Sequence, residues 1–329
     1  MPVSRRRLLV LGGALVAAPV IAYSQGDRRV RRIGIIDYSA AEPGRLGWWK
    51  AFRQRLGELG YVEGKNLVVE ARFAAGSEAE LAALAAELVK LKVELIATGG
   101  TITALAVRKA THDIPIVTAT GIDPLRVGLV KTLARPGTNV TGVVSLNDQL
   151  AAKRLELLRT FVPKVSRIGL LWDETNPSSK IQLKDTEDAA RTMGITKMVR
   201  GVKNVADFEP AMAALAKEGS HALIAIPSPA MFSNRALIGQ LALKHRLPTM
   251  GGAREYAQAG ALVSYATDYP HLFRRAAEYA DKILKGANPA ELPIEQPTKF
   301  ELIINLHTAK ALGISIPQSL LVRADEVIQ

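Results

Sequence analysis

Residues 93–123 largely determine which folds are open to this sequence. They contain two short apolar runs, at 95–98 and 114–118, separated by two glycines and an Ala-rich segment with helical character. Apolar runs without alternation, bounded by glycine, are typical of parallel strands buried on both faces. Because a right-handed crossover returns the chain in parallel, both strands should end at the same edge of one sheet. Open α/β sheets bind ligands at that edge.

The turns that follow these two strands are small and polar. Residues 99–101 (Gly-Gly-Thr) follow the first strand, and residues 118–123 follow the second and end in Asp123. Backbone amides at the start of the helix after Thr101 could face a polar or anionic group. For Gly99 and Gly100 two interpretations stay open, a tight turn alone or a contact with a ligand.

The same pattern occurs again in the second half of the chain. Residues 167–173 (Arg-Ile-Gly-Leu-Leu-Trp-Asp) closely match residues 32–37 (Arg-Ile-Gly-Ile-Ile-Asp), and residues 222–226 match the run at 95–98. The sequence therefore predicts an α/β fold with two Rossmann-like lobes, each built on a parallel sheet.

The predicted lobes exchange segments. We expect an N-terminal lobe of residues 30–145 plus 269–293, and a C-terminal lobe of residues 146–268 plus 294–329. The chain should cross between them near Ser145, near Asp268 and at residues 293–297, and ligand binding should close the lobes about these crossings.

Helix signals occur between the predicted strands. We expect helices at residues 46–59 and 128–133, one that begins after a Ser77 cap, and one that Ser233 caps and that continues to His245. Trp48 and Trp49 fall in the first of these, as core residues or with one of them at the rim of the cleft.

The N-terminus has the pattern of an export signal. Three arginines at 5–7 precede an apolar run at 8–21 and a small-residue stretch at 22–24. This order predicts a signal of residues 1–25, of twin-arginine type, and a periplasmic location after cleavage. The alternative is an uncleaved anchor, but the run is short for a membrane span, which needs about 20 residues, and it contains Pro19.

The composition argues against several classes of function. Cysteine is absent, the five histidines are isolated, and no phosphate-loop or dinucleotide motif occurs, so we predict no metal, no cofactor and no enzyme activity. The net charge is +12, but the basic residues are spread along the chain and aromatics make up 5%, so nucleic acid is not expected as a partner. An exported hydrolase or isomerase using Asp123 or Asp268 stays open as an alternative.

Six segments carry a resemblance to a known family. They are Leu-Gly-Tyr-Val-Glu-Gly-Lys-Asn-Leu at 59–67, Ile-Pro-Ile-Val at 114–117, Asp-Pro at 123–124, Leu-Ala-Arg-Pro-Gly-Thr-Asn-Val-Thr-Gly at 133–142, His-Arg-Leu-Pro at 245–248 and Gln-Pro-Thr-Lys-Phe-Glu-Leu at 296–302. With them the chain resembles the exported substrate-binding proteins of ABC transporters with a type I periplasmic-binding fold, in the group that includes tryptophan- and phenylalanine-binding members. The resemblance implies two hinged lobes that enclose a small-molecule solute, an amino acid or aromatic acid, and an inner-membrane permease as partner. A periplasmic subunit that senses a ligand for a signalling receptor is the alternative.

Strand exits and this resemblance together predict the ligand-binding residues. They are Tyr38, Ser39, Gly99, Gly100, Thr101, Thr118, Asp123, Asn176, Ser178, Ser179, Ser228, Met231, Tyr265 and Asp268. Within this set, Asn176, Ser178 and Ser179 are expected to bind a carboxylate at a helix start. Asp123 or Asp268 would pair with an amine, and Tyr265 or Met231 would cover an apolar part.

Overall fold

A computed structural model describes residues 30–329. The predicted export signal lies outside these residues. Among them, no helix is both long enough and apolar enough to span a bilayer. They form two α/β lobes, the first built on a parallel sheet and the second on a largely parallel one, as the repeated pattern predicts.

The N-terminal lobe has five parallel strands in the order β2-β1-β3-β4-β5. Its elements are β1 (Arg31–Asp37), α1 (Pro43–Glu58), β2 (Leu67–Phe73), α2 (Glu78–Lys90), β3 (Ile96–Thr98), α3 (Thr101–Ala110), β4 (Ile116–Thr118) and β5 (Val140–Gly142). Buried Ile, Val and Ala side chains fill both faces of the central strands, which explains why these runs do not alternate.

The C-terminal lobe has a seven-stranded sheet in the order β12-β11-β10-β9-β8-β6-β7. Its elements are α4 (Ala151–Phe161), β6 (Arg167–Asp173), α5 (Pro177–Thr192), β7 (Thr196–Val202), α6 (Phe208–Lys217), β8 (Ala222–Ala225), α7 (Pro229–Ser233), α8 (Arg235–Lys244), β9 (Thr249–Gly251), α9 (Arg254–Gln258), β10 (Val263–Thr267), β11 (Phe300–Asn305), α11 (Leu306–Leu312), α12 (Gln318–Leu321) and β12 (Glu326–Ile328). β10 and β11 pair antiparallel, and the other pairs are parallel.

One further helix, α10 (Tyr269–Leu284), follows the C-terminal lobe in sequence but packs on α1 of the N-terminal lobe. Phe273 of α10 meets the Trp49 ring edge-on at 4.8 Å, and Arg274 forms an ion pair with Glu58 at 2.7 Å. The aromatic core of the first lobe is therefore completed by a segment more than 200 residues further along the chain.

The crossings between the lobes lie side by side. Thr267, at the end of β10, donates its hydroxyl to the Ser145 carbonyl at 2.9 Å. Val143 forms an isolated parallel bridge with Glu295, on the segment that leads back to β11. Hydrogen bonds therefore join neighbouring crossings at one end of the cleft.

Two helix predictions are wrong. Residues 128–133 form turns, because Gly128 has φ 71° and the chain folds back so that the Lys131 amide donates to the Pro136 carbonyl. Ser233 is the last residue of α7 and caps nothing, since α8 begins after Asn234. Ser77 does cap α2, accepting the Glu80 amide at 3.2 Å.

Candidate ligand-binding site

A cavity lies between the lobes at the carboxyl edges of both sheets; we call it the main cavity. Its open space, mouth included, is about 650 Å³. It is lined by Arg45, Trp48, Gly99, Gly100, Thr101, Ile102, Thr120, Gly121, Ile122, Ser145, Asn147, Asn176, Ser178, Gln182, Pro227, Ser228, Pro229, Phe232, Gly252, Ala253, Tyr256 and Tyr269. Residues of both lobes line it, and so do Ser145 and Tyr269, which lie at two of the crossings between the lobes.

The N-terminus of α3 opens onto the main cavity without a side-chain cap. Gly100 occupies the cap position with φ 151°, and no side chain accepts from the first turn. The first amides of an α-helix have no partner within the helix. The Thr101 hydroxyl accepts the Ile122 amide at 3.0 Å, which draws the loop after β4 towards this helix start. The first-turn amides and the partial positive charge of the helix thus face the cleft.

The N-terminus of α5, on the opposite wall, is already capped. Asn176 Oδ1 accepts the Ser178 amide and the Asn176 carbonyl accepts the Ser179 amide, both at 2.9 Å. Ser179 is completely buried. Fewer donors are therefore available here than at α3.

A buried ion pair explains why residue 99 is glycine. The Asp37 carboxylate accepts from Arg45 Nε at 2.7 Å and from Trp49 Nε1 at 2.8 Å, and Arg45 also donates to the Gly99 carbonyl. A Cβ on Gly99 would lie 2.0 Å from Asp37 Oδ2. The turn at Gly99 is thus held by this ion pair, and the charge of Arg45 is neutralised although the residue lines the cavity.

Aromatic rings form one wall of the main cavity. Trp48 stacks on Tyr269 with centroids 4.1 Å apart and planes 8° from parallel, and it meets Phe232 at 4.6 Å. Tyr256 completes the wall, and its buried hydroxyl has no hydrogen-bond partner among the described residues. This wall suits an aromatic or other flat apolar group.

A buried arginine lies behind the hinge side of the main cavity. Arg154 donates to the Tyr265 carbonyl at 2.9 Å and to the carbonyl and side-chain oxygens of Asn147. It forms no ion pair among the described residues, and burial lowers the pKa of its guanidinium to about 10. An uncompensated buried cation near the cleft favours an anionic ligand over a cationic one.

The lobes contact each other across the cleft. Trp48 Nε1 of α1 donates to Glu255 of α9 at 2.7 Å. Arg235 pairs with Glu42 at 3.1 Å, and Arg126 pairs with Asp185 through two hydrogen bonds of 2.6 and 3.1 Å. The structure is therefore that of a closed cleft.

The structure separates the sequence-predicted site residues into groups. Gly99, Gly100, Thr101, Asn176, Ser178 and Ser228 line the main cavity. Tyr38 and Ser39 line a second cavity further from the crossings.

The remaining predicted residues line neither cavity, and most already have structural partners. Thr118 donates to carbonyls of the neighbouring β5 segment, Asp123 accepts the Leu125 amide, and Asp268 caps α10. Ser179 and Met231 are completely buried, and Tyr265 stacks on Phe300.

Sequence reasoning did not assign several lining residues to the ligand. They are Arg45, Asn147, Gln182, Phe232, Tyr256 and Tyr269. For Trp48, the sequence did not decide between a core position and one at the rim of the cleft. Most lie on helices whose apolar faces look like ordinary core in the sequence. The Asp-Tyr-Pro sequence at 268–270 is the available signal for Tyr269, since it marks a capped helix start beside a crossing.

Glu255 provides a test by pH, since it is partly buried and accepts a hydrogen bond from Trp48 of the opposite lobe. Burial raises the pKa of its carboxyl above the ordinary value, so the closed form holds a proton more tightly than an open form would. Protonation of Glu255 therefore favours the closed form at pH values below the ordinary pKa of a glutamate. This stabilisation of the closed form is lost as pH rises through the raised pKa. We expect affinity for a bound carboxylate to increase as pH falls from 7 towards 5, with a smaller slope in Glu255→Gln, measured by calorimetry.

The control for this pH test is Glu291→Gln, a carboxyl on the exposed turn after α10. It should keep the slope of the unmodified protein. Equal slopes in the Glu255→Gln variant and the unmodified protein would contradict the role given to Glu255.

Two α/β lobes that close on a cavity at their strand ends fit a protein that encloses a small molecule. Residues 33–328 match the family model described as ABC transporter substrate binding protein, and the chain belongs to that family.

Three relatives place the chain within the family. A tyrosine-binding protein of Clostridioides difficile (strain R20291) is 27% identical over 324 residues, covering 93% of this chain and 91% of the relative. The ABC domain from Streptococcus pneumonia in complex with L-Trp is 26% identical, with TM-score 0.85 and coverage of 91% and 99%. A ligand-free, open structure of a substrate-binding protein with adhesive properties from Clostridium difficile is also 26% identical over 91% and 99%, with TM-score 0.68. At equal identity the chain thus superposes better on the ligand-bound relative than on the open one.

Proposed function

We propose that this protein is the exported, periplasmic substrate-binding component of an ABC transporter. It binds a small carboxylate-bearing solute, an amino acid or aromatic acid, in the main cavity and delivers it to an inner-membrane permease. The uncapped start of α3, facing an aromatic wall across the cavity, carries this proposal. The relatives described as tyrosine-binding and as complexed with L-Trp support the same solute class.

The carboxylate has its best place at the start of α3. Amides of the first turn would donate to it, and the helix dipole and the uncompensated charge of Arg154 would both favour an anion there. The capped start of α5 would contribute less, through Asn176 and Ser178 at the opposite wall.

The aromatic wall would hold the apolar part of the solute. Trp48 and Tyr269 belong to segments of the N-terminal lobe, while Phe232 and Tyr256 belong to the C-terminal lobe. A ring packed against this wall would contact both lobes at once, so the solute would bind the closed form better than an open one.

Paired ligands that differ only in charge test the carboxylate assignment. We expect at least one of the two acids 3-phenylpropanoate and phenylalanine to bind. The carboxamide of that acid should bind at least about tenfold more weakly, because hydrogen bonds to a charged group contribute about 1.5 to 3 kcal/mol. A thermal-shift screen would find the binders, since a ligand at about 100 times its Kd adds about 2.7 kcal/mol to stability. Calorimetry would then give the Kd values.

Equal affinity for an acid and its amide would contradict a carboxylate at α3. The permease part of the proposal has its own test, uptake of the identified acid by cells with and without the gene. Unchanged uptake in cells that lack the protein would count against a transport role even if the acid binds.

A further inference from the structure

A second cavity lies between the lobes beside the ends of β1, β2, β6 and β7, on the side away from the crossings. Its open space, mouth included, is about 840 Å³. It is lined by Tyr38, Ser39, Ala40, Ala75, Gly76, Asp173, Thr175, Val202, Lys203, Asn204, Val205, Phe208, Pro229, Ala230, Ser233 and Asn234. It shares Pro229 with the main cavity, and the function proposed above makes no use of it.

One residue of this cavity differs from the aspartate at the end of β1. β1 ends in Asp37 and β6 ends in Asp173. Asp37 is neutralised by Arg45 at 2.7 Å. Asp173 accepts from the Thr175 amide and hydroxyl through Oδ1 alone, and its Oδ2 is buried without a hydrogen-bond partner among the described residues. Asp173 is 1% exposed and, unlike Asp37, forms no ion pair within residues 30–329.

Two hydroxyl groups accompany Asp173. The Ser39 hydroxyl is also buried and without a hydrogen-bond partner among the described residues, and it belongs to the opposite lobe. Tyr38 donates its hydroxyl to the Gly76 carbonyl beside it. The nearest cation that lines the cavity, Lys203, pairs with Glu174 at 3.5 Å and is largely exposed. Buried polar atoms of this kind normally find a partner, and a buried carboxylate calls for a positive one.

We propose that the second cavity is a separate binding site for a small organic ammonium ion, which pairs with Asp173 and hydrogen-bonds to the hydroxyl of Ser39. An ammonium offers three donors and one positive charge, which matches one unsatisfied carboxylate oxygen and one hydroxyl acceptor. A metal ion fits less well, because Ca²⁺ and Mg²⁺ need more oxygen ligands than these. No group of three metal-binding side chains occurs within residues 30–329.

The two cavities should influence each other through closure. Residues of both lobes line each cavity, so a ligand in either one favours the closed form. By linkage, each ligand then increases the affinity for the other by the same factor. A solute receptor built this way would bind its acid more tightly when an amine is present.

Ethanolamine is the probe, and ethylene glycol is its uncharged counterpart. Each is titrated into the exported protein by calorimetry, with 3-phenylpropanoate absent and then present. The variants are Asp173→Asn, which removes the charge but keeps an acceptor for Thr175, and Ala230→Phe, which fills the cavity from α7. Asp188→Asn on the exposed face of α5 changes the net charge equally and serves as the control.

Ethanolamine should bind the unmodified protein and the Asp188→Asn variant. It should bind the Asp173→Asn and Ala230→Phe variants at least about tenfold more weakly, equivalent to about 1.4 kcal/mol. Equal binding of ethylene glycol, no binding of ethanolamine, or binding unaffected by Asp173→Asn would overturn the proposal. Loss of 3-phenylpropanoate binding in both cavity variants would overturn it too, because the two cavities would then act as a single site. Ethanolamine is also titrated without 3-phenylpropanoate. The result for the second cavity therefore does not depend on the carboxylate assignment at α3.

Discussion

Replacing Asp37 with alanine is expected to lower the free energy of unfolding by about 3 to 5 kcal/mol, the cost of breaking a buried ion pair from one side. The side chains of Asp37 and Arg45 are 0% and 6% exposed, so water cannot compensate for the missing carboxylate. Trp49 would lose its hydrogen-bond acceptor in the same substitution. Urea denaturation followed by circular dichroism measures the effect, as a lower midpoint at an unchanged slope.

The double variant Asp37→Ala/Arg45→Met is the matched control. It removes the charge that the single variant leaves buried, so part of the lost stability should return, and the coupling should fall within about 0.5 to 3 kcal/mol. A single variant that loses less than about 1 kcal/mol would show that the pair contributes as little as an exposed one.

Replacing Trp48 with alanine is expected to weaken binding of an aromatic carboxylate by about a hundredfold, or about 2.7 kcal/mol, as for a central aromatic residue of an interface. The substitution removes the ring that stacks on Tyr269 at 4.1 Å and the hydrogen bond to Glu255 across the cleft. Both the wall of the main cavity and the closed form lose support. Calorimetry with the tightest-binding carboxylate of the thermal-shift screen measures the change.

Trp48→Phe separates these two contributions. It keeps an aromatic ring in the wall and loses the indole N–H together with one of the two indole rings, so we expect a loss of about tenfold or less. Affinity within about threefold of the unmodified protein in a well-folded Trp48→Ala variant would remove the aromatic wall from the binding site.

The fold could be predicted because buried parallel strands leave a local signal. Residues 32–37 and 167–173 both begin with Arg-Ile-Gly, continue with apolar residues and form a strand that ends in aspartate. The helix predicted at residues 128–133 was wrong because this segment leaves no such signal. It is an apolar segment that contains Gly128 and turns back on itself. Apolar content alone does not distinguish such a segment from a helix.

The site could be predicted only in part, for a geometric reason. The rule of strand exits identified residues 99–101 and 176–178, but it also selected Tyr38 and Ser39, which line the second cavity because β1 lies nearer the far edge of its sheet. Trp48, Phe232 and Tyr269 lie on helices, and their contact with the cleft depends on how one lobe faces the other. Only tertiary structure provides that information.

The position of α10 affects how the chain can fold as it is made. Phe273 covers Trp49, and Tyr269 covers Trp48, yet both partners follow the complete run of strands β6 to β10. A growing chain that has reached residue 268 therefore has all five strands of its first sheet but no cover for the aromatic face of α1. Until α10 emerges, that face is an apolar surface open to aggregation or to chaperones. Completion of the aromatic core of the first lobe must wait for synthesis of most of the second.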